Sequence, residues 1–220
     1  MPRAFNEHDK ELIRKRLLEQ GYKLFSACGL RKTNIEEIAK AAGISKGAYY
    51  LFYESKEALF MDVVELAERR FRQELLATIN LPGPSPRAHL FAVLKKAFAL
   101  LKTVPVLQFF TGDDYDLLIR RIPEGKLQDH LASDRVFFEE LVACCKDAGI
   151  PIRVRPEEIS GLLYPLVLTV LHDDASSPVS LGSNIDLLLE LVAAFCLGEV
   201  DVQMENPIHP TPQWAKAYPG

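Results

Sequence analysis

The run Asn34 to Leu59, NIEEIAKAAGISKGAYYLFYESKEAL, constrains this 220-residue chain more than any other feature. It reads as two short helices joined by a tight turn and followed at once by a third. Asn34 is a good helix cap, and behind it Ile35, Ile38, Ala39 and Ala42 recur at three- and four-residue steps, giving one buried stripe. Gly43 can take the left-handed conformation that ends a helix, Ile44 then fills the corner, and Ser45 caps a new helix beginning Lys46-Gly47-Ala48. That second helix opens with a cation, a residue without a side chain and a single methyl. Its backbone is therefore able to lie close to base edges in a major groove, as the reading helix of a helix-turn-helix does.

Two further positions sharpen the reading. A glycine inside a helix costs about 1 kcal/mol relative to alanine, so Gly47 wants a reason, and close approach to DNA supplies one. Tyr49 and Tyr50 lie about 100° apart on a helix and cannot both face inward, so Tyr49 is expected in the core and Tyr50 with its hydroxyl toward a phosphate.

The stretch AGISKGAYYLFYESKEALF resembles the N-terminal signature of TetR-family transcriptional regulators. The likeness covers a long first helix, the helix-turn-helix, and the Ser55-Lys56-Glu57 that opens a fourth helix; beyond it only length and helical character match. The resemblance implies a homodimer that binds double-stranded DNA at a near-palindromic operator. It further implies a divergent C-terminal body in which a small-molecule effector binds and releases a repressor from DNA. The DNA-binding set it points to is Thr33, Asn34, Ser45, Lys46, Gly47, Ala48, Tyr50, Tyr53 and Lys56, with Lys56 as a second phosphate anchor. Where the family often has histidine then phenylalanine after the reading tyrosine, this chain has Phe52 and Tyr53, and Tyr53 is expected to take over the phosphate contact.

Charge supports this division of labour. The net charge of −4 splits into 11 Lys/Arg against 8 Asp/Glu in residues 1–60, or +3, and 15 against 22 in the remainder, or −7. A mildly basic head on an acidic body attracts phosphate at one end only. No stretch reaches the roughly 18 unbroken apolar residues of a membrane span, and Met1 to Lys10 lacks the apolar core of a signal peptide, so a cytoplasmic protein without membrane contact is expected. Cys28, Cys144, Cys145 and Cys196 are too few and too badly spaced for a disulfide framework or a zinc site, and are expected to be buried free thiols.

The periodicity predicts an all-α chain: a three-helix DNA-binding head over 1–54, a helical ligand-binding and dimerisation bundle over 55–205, and an irregular tail over 206–220. The first helix runs from Glu7 to Cys28, with Ile13, Leu17, Leu24, Phe25 and Cys28 on its inner face. Ser55 starts a helix of about 25 residues, or about 38 Å, ended by Pro82-Gly83-Pro84-Ser85-Pro86. Further helices follow over His89 to Thr103, Tyr115 to Arg121, Lys126 to Asp147, from Pro156 through ISGLLYPLVLTVL, and from Ser183 or Asn184 through IDLLLELVAAFCLG. The last two are apolar nearly all round, which marks them for a subunit interface as well as core.

Aromatic residues of the body supply a candidate effector site at Phe109, Tyr115, Phe138 and Tyr164, with Pro165 freeing backbone beside Tyr164; plain core packing is the alternative for each. The acidic body favours an apolar or cationic effector. Asp113, Asp114, Asp116, His130, His172, Asp173 and Asp174 fall in loop signals and at helix ends where carboxylates cap, so no metal is expected. No cofactor and no catalytic residue is expected either, since no GxSxG, HExxH or phosphate-cradling glycine loop occurs. The rival reading is a helical small-molecule-binding or enzymatic body whose head is not used for operator recognition.

Overall fold

The computed structural model describes residues 5–80, 83–109, 118, 120–122, 125–171 and 184–200, with the side chains of 108 and 109 outside this description. The regular secondary structure of the described residues is all helical, with no strand among them. Helices α1 (Glu7–Lys32), α2 (Ile35–Ala41), α3 (Lys46–Tyr49) and α4 (Lys56–Ile79) are followed by α5 (Pro86–Lys102) and a 3-10 turn at Pro105–Phe109. Then come α6 (Lys126–Asp147), α7 (Pro156–Leu171) and α8 (Asn184–Cys196). Among the described residues no helix is long and apolar enough to cross a membrane.

The chain forms two compact units. The first comprises Met1–Arg70 and Val104–His130, and the second Phe71–Thr103 and Leu131–Gly220. The first unit therefore runs past the boundary expected at residue 54. It also takes in a distant segment whose Val106, Leu107 and Leu118 are all buried. The expected tail lies outside the described residues.

Within the first unit, α1 starts at a reciprocal cap: Asn6 accepts from the Asp9 backbone N–H at 2.8 Å while the Asp9 carboxylate accepts from the Asn6 N–H at 3.3 Å. Its buried face is Ile13, Leu17, Gly21 and Phe25, a strict four-residue step. Gly21 belongs to that face because a β-carbon there would stand 3.2 Å from Leu59 Cδ2 and 3.3 Å from Val63 Cγ2, so α1 and α4 meet backbone to side chain. Phe25 packs edge-on against Phe60 with ring centroids 5.0 Å apart. Cys28, expected on this face, is exposed, because three residues beyond Phe25 the stripe has already turned away. Gly29, at φ 76°, breaks the helix where the sequence placed its end.

The second unit is held by a single apolar cluster that includes Leu75 and Ile79 of α4, Leu94 and Phe98 of α5, Phe138 and Leu141 of α6, Leu163 of α7 and Leu189 of α8. Helix α5 begins at Pro86, three residues before the expected His89. Ser85 caps it by accepting from the Ala88 N–H at 3.2 Å, and Pro86 occupies the first turn, where its missing N–H costs nothing. The same serine and proline that stop one helix start the next.

Candidate nucleic-acid interface

The local geometry of the helix-turn-helix follows from its caps. Asn34 accepts from the Glu37 N–H at 2.9 Å and Ser45 from the Ala48 N–H at 3.1 Å, so each helix starts on a satisfied side-chain cap worth about 1 kcal/mol. Between them Gly43 sits at φ 77°, its N–H bonded to Lys40 O at 3.1 Å, while the Ile44 N–H returns to Ala39 O at 2.9 Å. These bonds fix α3 against α2.

Tyr49 is wholly buried under α3 and donates its hydroxyl to the Ser55 carbonyl at 2.9 Å. Burial, with the neighbouring Tyr53 hydroxyl and the Glu57 carboxylate, holds its ionisation well above the ordinary tyrosine range. Tyr50 faces the other way and is 50% exposed, as the angular argument requires. Lys46 and Gly47 are exposed with it and Ala48 is half-buried. A β-carbon on Gly47 would meet only Ser45 Oγ, at 3.9 Å. Nothing inside the protein thus demands glycine there.

Three residues of the expected DNA-binding set are engaged within the chain. Thr33 is buried and donates its hydroxyl to Gly29 O at 2.7 Å, closing the end of α1. Tyr53 is only 7% exposed, and burial, with the Asp62 carboxylate nearby, pushes its ionisation far up. Lys56 directs its ammonium to Leu30 O at 2.7 Å, Thr33 O at 2.9 Å and Arg31 O at 3.3 Å, the carbonyl-rich end of α1, where a cation is favoured by the helix dipole. Phe52, at the position of the missing histidine, lies against Phe5 with ring centroids 6.1 Å apart.

One residue was not singled out from the sequence. Leu51, one step beyond Tyr50, is 72% exposed. Its backbone is pinned: Tyr50 keeps helical angles (φ −68°, ψ −8°) and the Leu51 N–H bonds Ala48 O at 3.1 Å. The available signal was its spacing of four from Gly47.

Of the expected effector residues, Tyr115 and the side chain of Phe109 lie outside the described residues, as do Asp113, Asp114, Asp116, His172, Asp173 and Asp174. Phe138 and Tyr164 come together in the second unit, ring centroids 5.8 Å apart and nearly perpendicular. The Tyr164 hydroxyl donates to Asp134, which also accepts from the Arg72 guanidinium; that guanidinium lies 4.9 Å above the Phe137 ring. In the first unit His130 Nδ1 stands 3.6 Å from the Glu68 carboxylate. Cys145 and Cys196 are buried, which raises both thiols to about 12.

Comparison with known proteins adds to this geometry. The family model for bacterial regulatory proteins of the tetR family matches residues 17–63. An uncharacterized HTH-type transcriptional regulator of Bacillus subtilis, YuxN, is 30% identical over 132 residues, 60% of this chain and 39% of its own length. The HTH-type transcriptional regulator AcrR of Shigella flexneri is 38% identical over 78 residues, 35% of this chain and 36% of its own. The chain thus spans less than half the length of these relatives. The repressor SmeT of the Stenotrophomonas maltophilia multidrug efflux pump SmeDEF shares the fold, with a TM-score of 0.54 at 24% identity over 83% of this chain and 89% of that one.

Proposed function

We propose that the chain, whose residues 17–63 match the family model for bacterial regulatory proteins of the tetR family, is a ligand-responsive transcriptional regulator, acting as a repressor on a near-palindromic operator. The observation that carries this reading is the exposed surface of Lys46, Gly47 and Tyr50, set on a capped, turn-fixed helix with no internal need for a glycine. Lys46 and Tyr50 contact phosphates and the glycine backbone approaches the base edges. Asn34 and Ser45 border the same surface while serving as caps. The protein acts as a homodimer through α7 and α8, where Leu168, Leu187 and Leu191 are exposed large apolar side chains. Two reading helices then address major grooves about 34 Å apart.

The effector is an apolar or cationic small molecule bound in the second unit beside Phe138 and Tyr164. It changes the course of α4, which runs from one unit into the other, and the operator is released. The test is fluorescence anisotropy on duplexes covering the DNA beside the protein's own gene, over a series of salt concentrations. Saturable binding at physiological salt, weakened by Lys46→Ala together with a fall of about one in the log-log salt slope, is expected. Binding no tighter than to unrelated duplexes removes the regulatory reading.

A further inference from the structure

We propose that Leu51 is a base-reading residue: its side chain packs on the C5-methyl group of a thymine in each operator half-site. The inference rests on the DNA-binding reading above and adds a feature of the partner.

Leu51 has the largest exposed fraction of the exposed large apolar side chains among the described residues. It follows Gly47 by four residues and Ala48 by three, on the turn that Tyr50 continues with helical angles. Its neighbours on the exposed surface of α3 are Lys46, Gly47 and Tyr50. An isobutyl group is thus offered to solvent beside a residue with no side chain. The turn bonds that pin Leu51 and Phe52 to Ala48 O and Tyr49 O, at 3.1 and 2.9 Å, set the direction of that group before any partner arrives.

The occupant is identified by charge and by shape together. Arg31, Lys32, Lys40 and Lys46 are exposed in the same domain, and residues 1–60 carry +3, so the surface suits a polyanion. Of the four bases only thymine offers an apolar projection to the major groove, its C5-methyl group; the others present hydrogen-bond donors and acceptors that leucine cannot answer. A leucine held at the reading surface therefore selects A·T pairs in one orientation. This is specificity by apolar contact, independent of the phosphate contacts of Lys46 and Tyr50.

The experiment uses the full chain and the duplex that it binds. Each operator thymine is replaced in turn by deoxyuridine, which keeps the base pair and removes only the methyl. For wild type, one symmetric pair of positions is expected to weaken binding by about fourfold per half-site, the value of one buried methyl, and the others by less. Leu51→Ala is expected to keep its helical circular dichroism, to bind that duplex about as weakly as wild type binds the duplex with deoxyuridine at both symmetric positions, and to show no further loss on deoxyuridine at those positions. Leu51→Met, which keeps an apolar reach, retains the methyl dependence. Equal deoxyuridine costs for wild type and Leu51→Ala, or no cost anywhere, overturn the inference while leaving the regulatory reading intact. Failure of wild type to bind any flanking duplex overturns both.

Discussion

Gly43 and Gly47 stand four residues apart, and the same substitution should move them in opposite directions. At Gly43 the angle φ is 77° and a β-carbon would find only Arg16 Nη1, at 4.0 Å, so Gly43→Ala meets backbone strain and not a clash. It should cost about 1 to 2 kcal/mol in urea denaturation. At Gly47 there is space and no strain, so Gly47→Ala should leave stability unchanged or raise it by up to about 1 kcal/mol. Operator affinity should nevertheless fall about tenfold, because the added methyl holds the backbone off the base edges. A Gly47→Ala protein with full affinity would remove the glycine from the interface. Lys56 and Tyr53 give a second contrast. Lys56→Met loses donors to three carbonyls, while Tyr53→Phe only removes a hydroxyl from a side chain that is 7% exposed. The first should lower the stability of the head by about 1 to 2 kcal/mol and the second by less. The salt slope of DNA binding should stay where it was, whereas a phosphate contact would lower it by about one unit for the lysine.

At the scale of elements, what was legible in the sequence is what local chemistry determines. Asn34, Gly43, Ser45 and Ser55 act within three or four residues of themselves, so the caps and the turn could be read directly; the Ser55 hydroxyl accepts from the Ala58 N–H at 3.0 Å as its position implies. The inward course of Tyr49 and outward course of Tyr50 follow from one angle. The ammonium of Lys56 could not be read in this way, since its acceptors lie 23 to 26 residues earlier and are backbone carbonyls with no sequence signature. The same holds for Gly21, whose burial depends on Leu59 and Val63 of another helix. Phe138 and Tyr164 were paired from composition alone. Asp134, which joins Tyr164 on α7 to Arg72 on α4, was invisible because its partners lie 30 and 62 residues away. That array should be costly to break: Asp134→Ala removes the acceptor shared by Arg72 and Tyr164 and should destabilise the second unit by about 2 kcal/mol. Tyr164→Phe should cost about 1 kcal/mol. Thermal unfolding of the two variants, followed by near-ultraviolet circular dichroism, checks the order. Tyr164→Ala should also blunt effector-induced release more than it weakens operator binding, and the reverse result would make Tyr164 plain core.

On the scale of the whole molecule, Leu187 and Leu191 share one face of α8 at 62% and 51% exposure. Exposed leucines one turn apart fit a covered surface in an assembly, and Leu187→Glu with Leu191→Glu should shift sedimentation from dimer to monomer. Such a monomer should lose most of its operator affinity, since each half-site would be held alone. Unchanged sedimentation would put the dimer contact elsewhere. The order of the chain through its two compact units bears on inheritance. The head unit is assembled from Met1–Arg70 and Val104–His130, with the whole of α5 lying between the two pieces. A single genetic crossover after residue 70 would carry α1 to α3 onto a foreign body while leaving Val106, Leu107 and Leu118, all buried, behind. One exchange at that point separates the two pieces of a single compact unit, and carrying the whole unit takes two exchanges that move together.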